Sequence, residues 1–179
     1  MIDAAKARRY IAMTCDTVDE EIKKSYLSFE RDVVPFYSQL DDRLDRKYLA
    51  SPAREKLSGH YSVFDRGRKT KAELFREENT LLEAEDSELH AKYLEIQGAI
   101  TVEIDGKTLT PQQCGALLEK PDRSLREKSF RKLSGRRLED RERIEEIFDE
   151  MLQLRHRIAV NAGFDNYRDY RFRALCRFD

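Results

Sequence analysis

Long apolar runs are missing from this sequence. None approaches the roughly 18 residues a bilayer-spanning helix needs, and the N-terminus MIDAAKARRY lacks the apolar core of a secretory signal. The expectation is a soluble, cytoplasmic chain with no membrane partner. Cysteine is scarce as well: Cys15, Cys114 and Cys176 lie far apart, odd in number and in no CxxC pair. Neither a disulfide framework nor a cysteine metal site is indicated, and free thiols, buried or half-buried, are the expectation. An excess of one charge is also lacking. Charged residues make up 39% of the chain, yet 34 basic against 35 acidic residues leave a net charge of -1, a balance that fits solvated helix faces better than a broad field for a polyanion. The 179 residues suit one domain or a piece of a larger one, and a 40% hydrophobic content is enough for a core.

The motifs of common catalytic sites are absent too. Zinc catalysis needs three protein ligands around an open position. The 3 histidines, His60, His90 and His156, are joined by no H-E-x-x-H helix and share no cluster with a cysteine. His156, between Arg155 and Arg157, reads as a half-buried polar neighbour of an apolar stripe, and His90 as an exposed residue of a charged helix. No G-x-S-x-G elbow, Walker loop or G-x-G-x-x-G occurs among the 7 glycines. Carboxylate pairs such as Glu145 and Glu146 sit among Arg and Lys and read as salt-linked surface. No catalytic, cofactor-binding or metal-ligating residue is therefore assigned.

What is present is mostly helix. A first helix covers Ala4 to Ala12 and ends before Asp16. Thr17 and Glu20 form a capping-box pattern for the next. In that helix Ile22, Tyr26, Phe29, Val33, Phe36, Tyr37, Leu40 and Leu44 step by three or four along one face, with a kink expected at Pro35. Ser51-Pro52 opens a turn or short helix as far as Leu57. Gly59 to Thr70 breaks the pattern and reads as a loop anchored by His60, Tyr61, Val63 and Phe64. Thr70 and Glu73 suggest a cap for a helix carrying Leu74, Leu81, Leu82, Leu89, Tyr93 and Ile96, which Gly98 stops. From Ile100 to Thr110, β-branched residues flank Asp105-Gly106, a pair suited to a tight hairpin turn. Such a hairpin is marginal alone and should pack on helices or pair with a strand supplied from elsewhere. Thr110-Pro111-Gln112-Gln113 then caps a helix to Glu119.

The longest helical signal begins with Asp122 as cap after Pro121 and runs without another proline. Ile144, Ile147, Phe148, Met151, Leu154 and Ile158 form one stripe on it, and that stripe needs a partner surface. Gly163 supplies a left-handed stop, and Asp165 is placed to cap a further helix opened by Asn166 and Tyr167. Between Arg123 and Arg137 basic residues far outnumber the single acid Glu127. Beyond them Arg168, Arg171, Arg173 and Arg177 interleave with Tyr167, Tyr170, Phe172 and Phe178, a pattern that could track a nucleic-acid backbone, although the chain as a whole is not basic.

Three segments, EIQGAITVEIDGKTLT, PDRSLREKSFRKL and LRHRIAVNAGFDNYRDYRFRALCRFD, taken in this order, resemble the oligoendopeptidase F group of zinc metallopeptidases, relatives of thimet oligopeptidase. The match is closest at Pro121, Asp122, Arg123, Arg126, Glu127 and Phe130, and at Arg155, Ala159, Asn161, Ala162, Gly163, Phe164, Tyr167, Arg168, Asp169 and Tyr170. TCDTVDEE through FREENTLL resembles that group's helical N-terminal region more loosely. The resemblance implies a large helical enzyme with a deep channel that cleaves short peptides with zinc. In the family the metal is held by an H-E-x-x-H helix and a later glutamate, and nothing here matches those positions. The chain is therefore expected to be an N-terminal portion, inactive alone, with zinc expected only in the full-length parent.

The fold expected is mainly α: an elongated multi-helix assembly with one β-hairpin at about 100–110, an incomplete part of a larger helical peptidase fold. It divides into a helical region 1–98, the hairpin 99–110, and 111–179 with the long helix and the start of a catalytic lobe. Its expected partner is the remainder of the peptidase, or a second copy, met through the Ile144 to Ile158 stripe. The rival readings are a stand-alone helical interaction module and, less favoured, a nucleic-acid-binding helical protein.

Overall fold

In the computed structural model, which describes residues 2–177, the N-terminal segment is helical as its apolar spacing requires. Helix α1 spans Ile2–Cys15 and α2 spans Glu20–Ser28. The cap of α2 is Asp19 and not Thr17: the Asp19 carboxylate accepts the N–H groups of Glu21 and Ile22 at 2.9 and 3.0 Å. Asp16 in turn accepts the N–H groups of Val18 and Asp19, which shapes the connecting turn.

A π-turn, Phe29–Val33, joins α2 to α3 (Val34–Leu49), with the Val34 N–H bonded to the Phe29 carbonyl. In a regular helix the ring of Pro35 would strike the carbonyl of Arg31; the widened turn contains that residue, and Pro35 falls in the first turn of α3, where its missing N–H is harmless. The expected kink is thus a π-turn ahead of the proline. The apolar stripe shifts with it. One extra residue rotates the helix beyond it by about 100°, so Phe36, Leu40 and Leu44 stay exposed. The inward face lies one residue further on, at Val34, Tyr37, Ser38, Asp41 and Asp45. Arg68 meets the two acids of that face, at 2.6 Å from Asp45 and 3.4 Å from Asp41.

Residues Pro52–Lys56 form a 3₁₀ turn, in line with the Ser51-Pro52 signal. The segment read as an aromatic-anchored loop is helical instead: a 3₁₀ turn Gly59–Tyr61 leads into α4, Ser62–Leu74. Gly67 inside a helix costs only about 1 kcal/mol, and tertiary bonds outweigh it: Asp65 accepts from Tyr48 at 3.0 Å and forms an ion pair with Arg54. Thr70 is consequently an interior residue of α4, 2% exposed, and not a cap. Helix α5, Asn79–Gly98, ends at its glycine as expected.

The chain forms two compact units, Met1–Leu89 with Met151–Asp179, and His90–Glu150. In the first, α1 packs with α2, α3 with α4, and α4 with α9 (Tyr167–Ala174). Met13, Tyr26, Phe29, Leu82, Ile158 and Ala159 belong to its buried residues.

In the second unit, β1 (Val102–Ile104) and β2 (Lys107–Leu109) pair antiparallel, Val102 opposite Leu109 and Ile104 opposite Lys107. Asp105 and Gly106 both have positive φ, 52° and 73°, as the primed turns favoured in two-residue hairpins demand. The inward residues Val102 and Ile104 join Ile100, Cys114 and Leu133 in one apolar cluster. The hairpin thus packs on α6 (Pro111–Leu117) and α7 (Arg123–Glu139). A complete capping box of Thr110 and Gln113 starts α6, and Asp122 caps α7.

The single long helix expected from Pro121 is two. Helix α7 stops at Asp140 (φ −97°, ψ 7°) and α8 runs Arg141–Asn161. Asp140 is buried, and its carboxylate is held by Arg136 at 2.6 Å and Arg143 at 3.4 Å, bonds that fix the break. Gly163 at φ 88° ends α8: its N–H bonds to Val160 O and that of Phe164 to Ala159 O, the paired bonds of a Schellman motif. The cap of α9 is Asn166, whose side chain accepts the Asp169 N–H at 3.0 Å, and not Asp165.

Candidate functional site

Helix ends leave carbonyls without partners, and those at the end of α8 find theirs on α5 and just before it. Asn79, 2% exposed, donates to the Ile158 carbonyl at 3.0 Å and accepts from the Asn161 amide at 2.7 Å. Arg76 donates to the Asn161 and Ala162 carbonyls at 3.0 and 3.4 Å. One turn away, Arg155 grips Asp86 through two bonds of 2.9 and 3.3 Å, its guanidinium 5.7 Å from the centre of the Tyr167 ring. Asn79, Arg76 and Asp86 carry no motif and escape a reading of the sequence. The only available signal is the general need of a helix C-terminus for donors, which does not say where in the chain they lie.

This junction fixes α9 and with it the arginine-tyrosine tail. Tyr170 is buried, edge-on to Phe164 at 5.8 Å. Arg173 pairs with Glu73 at 3.1 Å, Arg168 with Asp169 at 2.9 Å, and Arg177 lies 5.8 Å from the Phe172 ring centre. Phe178 lies outside the described residues. The basic run on α7 is likewise engaged close by. Lys128 pairs with Asp105, Lys132 donates to the Glu103 carbonyl at 2.6 Å, Arg131 to Glu127 at 2.8 Å, and Arg126 to the Lys120 and Pro121 carbonyls. These side chains clamp the hairpin and the start of α7, and the nucleic-acid reading gains no support from them.

Of the cavities in the first unit, two are of about 540 Å³ or more. One, about 570 Å³, lies among α3, α4, α5 and α9 and is lined by Asp41, Asp45, Phe64 and Arg68. The other, about 540 Å³, is walled by α1, the π-turn, α5, α8 and α9. In its lining Glu30 is 3% exposed. One oxygen of that carboxylate accepts from Lys6 at 3.0 Å, and the other has no hydrogen-bond partner. Glu83 is exposed, yet its neighbours crowd the carboxyl enough to push it up from the ordinary range, chiefly by desolvation, with Asp86 and Glu30 adding repulsion against Lys6 and Arg171.

Burial, with Glu83 beside it, pushes the Tyr170 hydroxyl up to about 12, and burial with Glu30 does the same for Tyr26. Both phenols are neutral when protonated, so the native state holds its protons where the unfolded chain has lost them. The stability they lend is full below about pH 10 and is lost as pH rises toward 12. Alkaline titration should therefore show a late-ionising class of tyrosines by tyrosinate absorbance, appearing together with loss of helical circular dichroism. Tyr26→Phe should shrink that class; an unchanged late class would refute the assignment.

The histidines lie apart from both arrangements. His60 is exposed in its 3₁₀ turn, ring centre 5.2 Å from Tyr61. His90, expected to be exposed, is half-buried and stacked on Tyr93, while His156, expected to be half-buried, is exposed: its neighbours Arg155 and Ile158 take the inward positions of that turn. No group of three or more His, Cys, Asp or Glu able to hold a metal ion occurs among the described residues. Of the cysteines only Cys114 is buried, its thiol pushed up by desolvation. Cys15 and Cys176 are exposed at the end of α1 and beyond α9, where no element covers them. On the α8 stripe Met151, Leu154 and Ile158 are buried and Ile144 and Ile147 half-buried, while Phe148 is 54% exposed. No helix among the described residues is long and apolar enough to cross a membrane.

No family model matches the sequence, and no curated protein does. Solved structures do. A Bacillus anthracis str. Ames protein described as an oligoendopeptidase F matches with a TM-score of 0.87 and 22% identity, over 96% of this chain and 31% of that one. PZ peptidase A, solved with an inhibitor, matches with a TM-score of 0.89 and 24% identity, over 99% of this chain and 32% of its own. A further structure described as an oligoendopeptidase F gives 0.87 and 23%, over 96% and 30%. At such identities the likeness is one of fold: the helices and hairpin are arranged as in part of an oligoendopeptidase F chain, and the chain spans about a third of the length of the structures it matches.

Proposed function

We propose that this chain is the helical, non-catalytic part of a zinc-dependent oligoendopeptidase, one wall of a channel that admits short peptides. The observation that carries the reading is the fold likeness to peptidase chains over 96% or more of the sequence. Zinc, peptide cleavage and the N-terminal position within the parent belong to the same reading. The 179 residues contain no H-E-x-x-H, so the zinc that activates the attacking water would be held by other residues of the parent. Here the chain's own part is mechanical: holding helices in place through the Asn79, Arg76 and Asp86 contacts.

Produced alone and supplied with zinc, the chain is expected to release no fluorescence from an internally quenched peptide and to retain no stoichiometric metal after dialysis. Turnover, or close to one bound zinc per chain, would overturn the reading. The exposed Phe148 favours a second reading, a helical module that docks a partner or a second copy through the Ile144, Ile147, Phe148, Met151, Leu154 and Ile158 stripe. Sedimentation as a monomer that binds no apolar dye would remove it.

A further inference from the structure

We infer that the outward face of α3 is an interface between two copies of this chain, paired antiparallel about a two-fold axis near Leu40. Phe36, Leu40 and Leu44 stand four residues apart on one ridge of the helix, 66%, 39% and 63% exposed. The π-turn ahead of them is what turns them outward. Three large apolar side chains on successive turns make a contiguous patch, the kind of surface that a partner covers.

The charges along the ridge decide which partner fits. At its N-terminal end stands Asp32, four residues before Phe36. Its carboxylate is bonded to the adjacent Arg31 at 3.2 Å, but both side chains are 61% exposed, so the link is weak and open to exchange. Toward the other end Arg43 and Lys47 follow Leu40 and Leu44 by three residues and share their side of the helix. Both are exposed, and neither has an ion pair among the described residues. The face is thus acidic at one end and basic at the other. A uniformly acidic partner would match the two cations and repel Asp32, and a neutral one would leave all three charges unmatched. A second copy turned end for end supplies both signs where they are needed.

Helix geometry sets the register. At a rise of about 1.5 Å per residue, Lys47 lies about 10.5 Å along the axis from Leu40, and Asp32 about 12 Å in the opposite direction. Reversing the second copy brings each Lys47 level with the partner's Asp32 to within about 1.5 Å, and the two-fold axis makes that link twice. Arg43 then stands about 9 Å along the axis from its own counterpart, far enough for salt to screen the repulsion. A parallel pairing would set like charges side by side. A small crossing angle, as in helical bundles, keeps both ends within reach. From Asp32 to Leu44 the patch is about 18 Å long, less than a standard interface needs, so the dimer is weak, with a Kd of about 10–100 µM. The pairing rests neither on the peptidase reading nor on the α8 stripe.

The test is sedimentation equilibrium of the intact chain from about 5 µM to about 1 mM, where a reversible monomer–dimer equilibrium is expected. Leu44→Glu should weaken it by about tenfold or more, since both copies lose an apolar contact and gain a charge. Lys47→Glu and Asp32→Lys should each weaken it about tenfold, because each change reverses one side of both links. The double exchange Asp32→Lys with Lys47→Glu should return the affinity to within about threefold of the parent. Phe148→Glu, on the α8 stripe, should leave it unchanged. All four positions are exposed, so the variants should keep the fold. A chain still monomeric at about 1 mM, which would leave the face to the rest of a longer protein, would overturn the inference. So would a double exchange no tighter than the single variants, an equilibrium unmoved by Leu44→Glu, or one abolished by Phe148→Glu.

Discussion

Ile100→Ala is expected to destabilise the His90–Glu150 unit by about 3 kcal/mol, within the range for large-to-small changes at fully buried aliphatic sites. Ile100 is 1% exposed and sits with Val102, Ile104, Cys114 and Leu133 in a cluster that Leu109, Leu117 and Leu125 only partly enclose. A unit of about 60 residues has a small core, so the loss of one fully buried side chain weighs heavily. The partly buried leucines can shift inward and moderate the cavity, which places the expectation near the middle of the range and not at its top. Amide hydrogen exchange over 100–114 should speed up by about two orders of magnitude, since each 1.4 kcal/mol of opening free energy is a factor of ten. Ile100→Val should cost only about 1 kcal/mol. If the alanine variant exchanges as slowly as the parent, the cluster is not what holds the hairpin.

Asn79→Leu should cost about 2 kcal/mol by a different route. Leucine fills the same space but removes the Asn79 bond to the Ile158 carbonyl, which keeps only the Ala162 N–H at 3.2 Å, and leaves the half-buried Asn161 amide without its partner; a lost hydrogen-bond partner costs about 1–3 kcal/mol. Asn161→Ala should cost less: Asn161 is half-buried, and its main-chain carbonyl keeps the bond from Arg76. The order of thermal midpoints is then parent, Asn161→Ala, Asn79→Leu. A reversed order of the two variants would show that the junction depends on the Asn161 side chain and not on the capped carbonyl of Ile158.

Features written in neighbouring residues were legible in the sequence. Asp105-Gly106 names its own turn, Thr110-Pro111-Gln112-Gln113 its own cap, and Asp122 and Gly163 the start of α7 and the end of α8, because each acts within about five residues of itself. What failed was decided at longer range. Thr70 satisfies the pattern of a cap, yet tertiary bonds such as Asp65 to Arg54 carry the helix through it. Asp140 looks like one more charge on a helical face until Arg136 and Arg143 are seen to hold it in a break. The cavity lined by Lys6, Glu30 and Glu83 had no sequence signal: these residues come from α1, the π-turn and α5, and no spacing joins them.

The π-turn at Phe29–Val33 bears on how relatives of this chain are compared. A turn of that kind is what one added residue leaves behind in a helix that keeps its axis. Against a homologue whose helix is regular there, the true correspondence carries a gap of one position between Tyr26 and Pro35. A gapless alignment would still match apolar letters at Phe36, Leu40 and Leu44, and would be out of step at every residue as far as Leu49. The inward-facing Asp45 would then be scored against a solvent position, hiding kinship where the backbones superpose well.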